Sequence, residues 1–309
     1  MIVELYAKTH VGRVRSGNED NYLVLDLDTS NSWTGSDGET TPEKVRRFEV
    51  GGRGLVLVVS DGMGGALAGD VASQMAVETV RDMLTGGEDG EPVSDSAPLD
   101  ECLRNAAEYA NYAIHRRSQE DPRCSGMGAT LTGAAVTPDG LSFVQVGDSR
   151  AYVIRGEAIK LATKDQSLVQ QLVDVGQISE QEAETHMFRN VILQALGAQP
   201  ELAPAGAKVR IYRGDIVLLC SDGLSGKLRA DDILYIVSDS EGDLERASEN
   251  LVEEANRRGG EDNITVVLAR FSGEDLAAPN TDRITVELPQ PPDGDDTITP
   301  EEGQTERLV

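Results

Sequence analysis

Apolar residues along the chain gather either in short unbroken runs or in longer stretches where they recur every three or four positions. The short runs are rich in Val, Ile and Leu and stop at Gly, Pro, Asp or Asn, which is the signature of strands meeting at turns. Leu55–Ser60 is such a run, apolar at successive positions as a strand buried on both faces would be. Thr130–Val136 and Leu141–Val146 flank Pro138-Asp139-Gly140, and Ala151–Ile154 and Ala158–Leu161 flank Arg155-Gly156-Glu157. Each pair predicts a hairpin, because those turn residues supply the backbone angles a tight reversal needs. Ile216–Cys220 and Ile264–Arg270 complete the predicted strands.

The helical period appears in Ala66–Leu84, where Val71, Met75, Val77, Val80 and Leu84 make one stripe. Pro98–Ser118 carries Leu99, Leu103, Ala106, Ala110 and Ile114 on one face, and Pro98 suits a first helical turn. Asp243–Arg258 reads as a third long helix. Hairpins in succession, with the helices set apart from them, predict α+β architecture on antiparallel sheets rather than repeated βαβ units. Segments 29–53 and 85–97 are polar and Gly-rich and read as loops. From Glu274 to Val309 ten carboxylates face Arg283 and Arg307, with five prolines between them, so the reading is a folded unit over 1–272 and a flexible acidic tail over 273–309.

Composition narrows the function. A formal net charge of -26 argues against nucleic acid and against an anionic membrane surface as partners. Cys102, Cys124 and Cys220 are too few and too scattered for a disulfide framework or a zinc site, which suggests a reducing compartment. Neither a signal-peptide pattern at Met1–Glu4 nor an apolar run approaching the ~20 residues of a membrane span is present, so a cytoplasmic protein is expected.

The placement of the acids carries the chemistry. Asp61 and Asp222 end apolar runs and precede Gly62 and Gly223; Gly147-Asp148-Ser149 follows Leu141–Val146; Asp262-Asn263 opens Ile264–Arg270. Strand ends packed in sheets bring such residues together from far apart in sequence, and a carboxylate cluster repels itself unless cations neutralise it. Oxygen-only donors favour hard ions such as Mg²⁺ or Mn²⁺.

Six segments in order then resemble the PP2C (PPM) phosphatases, most closely bacterial members that oppose serine/threonine protein kinases. They are Arg15-Ser16-Gly17-Asn18-Glu19-Asp20, Ser60-Asp61-Gly62-Met63-Gly64-Gly65, Ser125-Gly126-Met127-Gly128-Ala129-Thr130, Val146-Gly147-Asp148-Ser149-Arg150-Ala151-Tyr152, Ser221-Asp222-Gly223-Leu224 and Asp262-Asn263-Ile264-Thr265. The resemblance implies an α-β-β-α sandwich and hydrolysis of phosphoserine and phosphothreonine in proteins by a water activated between two divalent ions. It implies that Asp61 bridges the ions and that Asp222 and Asp262 complete one of them. Asp20 and the Gly62 carbonyl serve the other, with Glu19 near it. Asp148 with Asp222 makes a weaker third site, and Arg15 holds the substrate phosphate. A flap over about 165–205 and phosphoprotein partners, among them a kinase and its substrates, follow from the same likeness.

Departures from the family pattern are Met63, where many eukaryotic members carry histidine, and Gln166 in Asp165-Gln166-Ser167, where histidine is usual. His10, His115 and His186 are scattered and read as surface residues, and Cys220 as core rather than nucleophile. Rival readings are a pseudophosphatase that binds phosphoproteins without cleaving them, a regulator acting on a phosphorylated anti-sigma-factor antagonist, and an acidic calcium-binding module. The last lacks the twelve-residue helix-loop-helix calcium loop.

Overall fold

The computed structural model of the chain describes residues 1–35, 47–64, 68–87 and 97–288. Parts of both predicted loops, the Gly65–Leu67 stretch and the tail from 289 onward lie outside the described residues. The predicted strands and helices are all present, several extended by a few residues at an end. Among the described elements without a prediction are β1 (Ile2–His10), β2 (Asp20–Asp26) and α6 (Ala230–Asp239).

Strands β10 (Ala158–Leu161), β9 (Arg150–Arg155), β12 (Ile216–Cys220), β13 (Ile264–Ser272), β1 and β4 (Arg47–Glu49) form one sheet in that order. The other runs β14 (Val286–Glu287), β11 (Ala205–Val209), β8 (Gly140–Val146), β7 (Leu131–Thr137), β5 (Leu55–Met63), β2 and β3 (Asn31–Thr34), with β6 (Gly128–Ala129) paired to the end of β5. Every pairing is antiparallel. The α-β-β-α sandwich is therefore the observed fold.

Alternation along the strands explains the layers, because successive side chains of a strand point to opposite faces. Leu55, Leu57 and Val59 of β5 enter the core between the sheets with Val3, Leu5, Val267, Ala269 and Phe271, while Val56 and Val58 pack under α1 (Ala68–Thr85) and α2 (Leu99–Glu120). On the far side, Leu218, Val266 and Leu268 meet α6 and α7 (Leu244–Arg257). Of the predicted helical stripes, Val77, Val80, Leu84, Leu103, Ala106, Ala110 and Ile114 are fully buried or nearly so, while Val71, Met75 and Leu99 are partly buried against the same core.

The stretch after 272 departs from the flexible-tail reading as far as residue 288. Leu276 is buried, Ile284 and Val286 pack against the inter-sheet core, and β14 hydrogen-bonds to β11. A buried ion pair secures this strap: Arg155 forks onto Asp215 at 2.8 Å through both Nε and Nη2 and donates to the Arg283 carbonyl. Composition misses this because two or three apolar anchors suffice to dock a segment that is otherwise charged.

The expected flap contains α3 (Leu168–Asp174) and α4 (Glu180–Thr185), neither of which buries a residue. It rejoins the body earlier than 205, where Leu196 exchanges backbone hydrogen bonds with Ala129 and is fully buried.

Candidate active site

At one end of the sandwich the inter-sheet core changes from hydrocarbon to carboxylate. Asp61 follows Leu57 and Val59 on the same face of β5, and Asp20 precedes Tyr22 and Val24 on the same face of β2. The two aspartates are direct partners across the β2–β5 ladder. From the opposing sheet, Ser221 and Thr265 continue the inward rows of β12 and β13, and both hydroxyls donate to Asp20 Oδ2 at 2.7 Å. The other oxygen, Asp20 Oδ1, is buried without a hydrogen-bond partner.

The Asp61 backbone is held from both sides. Its amide donates to Thr130 Oγ1 at 2.9 Å, and its carbonyl accepts from the Thr130 amide at 2.8 Å. Next to it, a Cβ on Gly62 would collide with the Gly69 carbonyl at the start of α1, so glycine is required there. Asp222 opens the short helix α5 (Asp222–Ser225), and its carboxyl lies within hydrogen-bonding reach of that of Asp61. Asp148 is buried on the turn between β8 and β9, with Oδ1 likewise unpartnered. Asp262 receives Arg15 Nη2 at 2.9 Å.

The electrostatics show that these groups share one field. Burial, then the charges of Asp20, Asp222, Asp148 and Asp262, hold Asp61 well above the usual carboxylate range. Burial pushes Asp20 up to about 7, with Asp222 and Asp262 adding to it against the two hydroxyl bonds. Burial, then Asp222 and Asp165, push Asp148 up to about 7. Asp222 is raised by burial and by Asp262. Glu19 is buried, its pKa also raised chiefly by burial, and its carboxylate rests against Gly69.

Among the described residues no three His, Cys, Asp or Glu side chains are already gathered as a finished metal cage. What the chain supplies is a self-repelling array of oxygen donors, two of them buried and unpartnered, and two carboxyls that cannot both ionise at close range without a proton or a cation between them. Such oxygen donors suit hard divalent ions better than zinc or copper, which favour nitrogen and sulfur.

All eight sequence-predicted residues, Arg15, Glu19, Asp20, Asp61, Gly62, Asp148, Asp222 and Asp262, therefore fall at this end of the sandwich. The supporting shell had no prediction. Asn263 accepts from the Glu19 amide at 2.7 Å and donates to the carbonyls of Val11 and Gly17, both at 2.9 Å, tying the Arg15 loop to β13. Arg150 forks onto Asp165 at the flap root, and Gln166 Oε1 accepts from the Gly147 amide at 2.8 Å. His10 and His115 are half-buried and hydrogen-bonded rather than free surface groups. Cys220 is fully buried, and burial pushes its thiol up to about 12, which suits core and not nucleophile.

A family profile described as Protein phosphatase 2C matches residues 45–266. Protein phosphatase PhpP of Streptococcus pneumoniae is 34% identical over 273 residues, covering 88% of this chain and 99% of that protein. The crystal structure of the Mycobacterium tuberculosis serine/threonine phosphatase PstP/Ppp superposes with a TM-score of 0.70 at 33% identity, covering 88% of this chain and all of that one. The PstP catalytic domain in complex with two manganese ions gives 0.68 at 32% identity, covering 88% of this chain and 99% of that one. Similarity of this extent, along the same strands that carry the aspartates, makes the chain a member of the protein phosphatase 2C family of metal-dependent serine/threonine phosphatases.

Proposed function

We propose that this end of the sandwich hydrolyses phosphoserine and phosphothreonine in protein substrates, with Asp61, Asp20, Asp222 and Asp262 holding two Mn²⁺ or Mg²⁺ ions. The observation that carries it is the buried, unpartnered Asp20 Oδ1 opposite Asp61 in a field of four carboxylates. When bound, such ions acidify a water and neutralise charge on the phosphoryl oxygens. The chain's own residues do the rest. Ser221 and Thr265 fix Asp20 by one oxygen and leave the other to face inward. Thr130 sets the backbone of Asp61. Arg15 is half-exposed and offers a planar fork suited to a phosphate, with Asp262 as its resting partner. Gly62 and Glu19 complete the second ion's surroundings, and Asp148 with Asp222 supplies a third, weaker position.

The finer reading is that the enzyme is cytoplasmic, acts in signalling and opposes a serine/threonine protein kinase. Among the described residues no helix is long and apolar enough to cross a membrane, and the net charge of -26 disfavours nucleic acid. Phosphate release from a phosphothreonine peptide, with Mn²⁺ and again with excess EDTA, tests the core of this reading. Release that EDTA abolishes is expected. Folded protein that binds Mn²⁺ but releases nothing would favour a phosphoprotein-binding pseudoenzyme.

A further inference from the structure

His10 ends β1, immediately before the loop that carries Arg15, and its ring enters none of the roles above. The Gly12 amide donates to His10 Nδ1 at 2.8 Å, and Asn256 Nδ2 on α7 lies 3.4 Å from the same nitrogen. A nitrogen facing two N–H donors carries no proton, so the imidazole is neutral and protonated on Nε2. Its half-buried position, with Lys8 and Arg13 nearby, works in the same direction by lowering its pKa.

That single acceptor sits at the base of a folded loop. Gly12 takes φ +83°, and a Cβ there would collide with the Asp262 carbonyl, so loop and metal-side turn are in backbone contact. Arg13 then donates its amide to the Gly260 carbonyl at 2.7 Å. Arg15 reaches Asp262 from this base. Arg13, Arg15 and Gly12 all depend on where the chain turns after residue 10, and the His10–Gly12 bond closes that turn in the manner of a side-chain acceptor bonding a backbone N–H two residues on.

We infer that His10 is a positioning residue for substrate phosphate: through Nδ1 it closes the turn that holds the Arg15 loop against the Asp262 turn. Its hydrogen-bond partners are Gly12 and Asn256, neither of them an ion ligand in this reading. The inference rests on the reading of Arg15 as the phosphate-binding group, and its physical core, the clamp on Gly12, stands independently of that reading.

Three single variants and one double variant test it: His10→Leu, His10→Asn, Arg15→Ala, and His10→Leu in the Arg15→Ala background. Asparagine supplies an uncharged acceptor to the residue two on, whereas leucine supplies none. His10→Leu should raise KM for a phosphothreonine peptide roughly fivefold, the worth of one neutral hydrogen bond, with kcat little changed. His10→Asn should restore KM, and in the Arg15→Ala background His10→Leu should add nothing further. Hydrogen exchange at the Gly12 and Arg13 amides should be faster in His10→Leu than in the wild type or His10→Asn. Unchanged KM in His10→Leu, equal impairment in His10→Asn, or penalties that multiply with Arg15→Ala would overturn the inference. Were the wild type to release no phosphate, the proposed function would fail while the exchange measurement still judged the clamp.

Discussion

Asp20 and Asp61 stand directly opposite each other on neighbouring antiparallel strands, with Asp20 tied through one oxygen to two hydroxyls of the other sheet. Like charges in that relation are destabilising, and burial makes them more so. A fold that keeps them there pays in stability for a site that a cation completes.

Ser221 and Thr265 therefore matter through Asp20. Ser221→Ala and Thr265→Val should each weaken Mn²⁺ binding by about 10–100-fold, as loss of a partner that orients a ligand does. Titration calorimetry decides this; an unchanged affinity would mean the hydroxyls serve packing alone.

The raised carboxyls set a pH dependence. Asp20 and Asp148, pushed up to about 7 by burial and then by neighbouring aspartates, bind more protons folded than unfolded between their ordinary range and 7. In that window the metal-free fold loses stability as pH rises, and the contribution is fully present only below about pH 4. Ions that replace those protons should raise the thermal midpoint more at pH 7.5 than at pH 5. Equal shifts at both pH values would contradict the account.

The opposite end of the sandwich should be separable from the chemistry. Asp215→Ala strands the buried Arg155 guanidinium and should cost about 3–5 kcal/mol. Denaturant midpoints measure the loss, while the Mn²⁺ dependence of phosphate release in the folded fraction should be unaltered.

A cut at 274 and a cut at 289 should differ. Removing residues 289–309 should leave peptide turnover and stability as they are, since that stretch is acidic and Pro-rich. Removing residues 274–309 also takes away Leu276, Ile284 and β14 and should lower the thermal midpoint measurably. Identical melting of the two truncations would show that the strap adds nothing.

Much of this was legible in the residues. Leu55–Val59 and Ile216–Cys220 are apolar without interruption, and Ile264–Ala269 is broken only by Thr265, which is how a strand buried on both faces commonly reads; the aspartates at their ends followed. Two site-bearing strands were not legible. β2 offers only the four-residue run Tyr22–Leu25 between Asn21 and Asp26, and β1 interleaves Glu4, Lys8 and His10 with its apolar residues, so neither stands out as the longer runs do. Their strand state comes from pairing with β5 and β13. The contacts of Ser221 and Thr265 with Asp20 span separations of 201 and 245 residues, which no local pattern encodes. The docked strap was missed because bulk composition hides a few apolar anchors.

The most direct test of the central claim compares wild type with Asp61→Asn, each shown to be folded by circular dichroism, for phosphate release from a phosphothreonine peptide in saturating Mn²⁺. The account predicts a loss of at least about a hundredfold, the scale set by several kcal/mol of metal-derived stabilisation. A folded Asp61→Asn enzyme turning over near the wild-type rate would show that the carboxylate pair at the head of the sandwich does not hold the reacting ions.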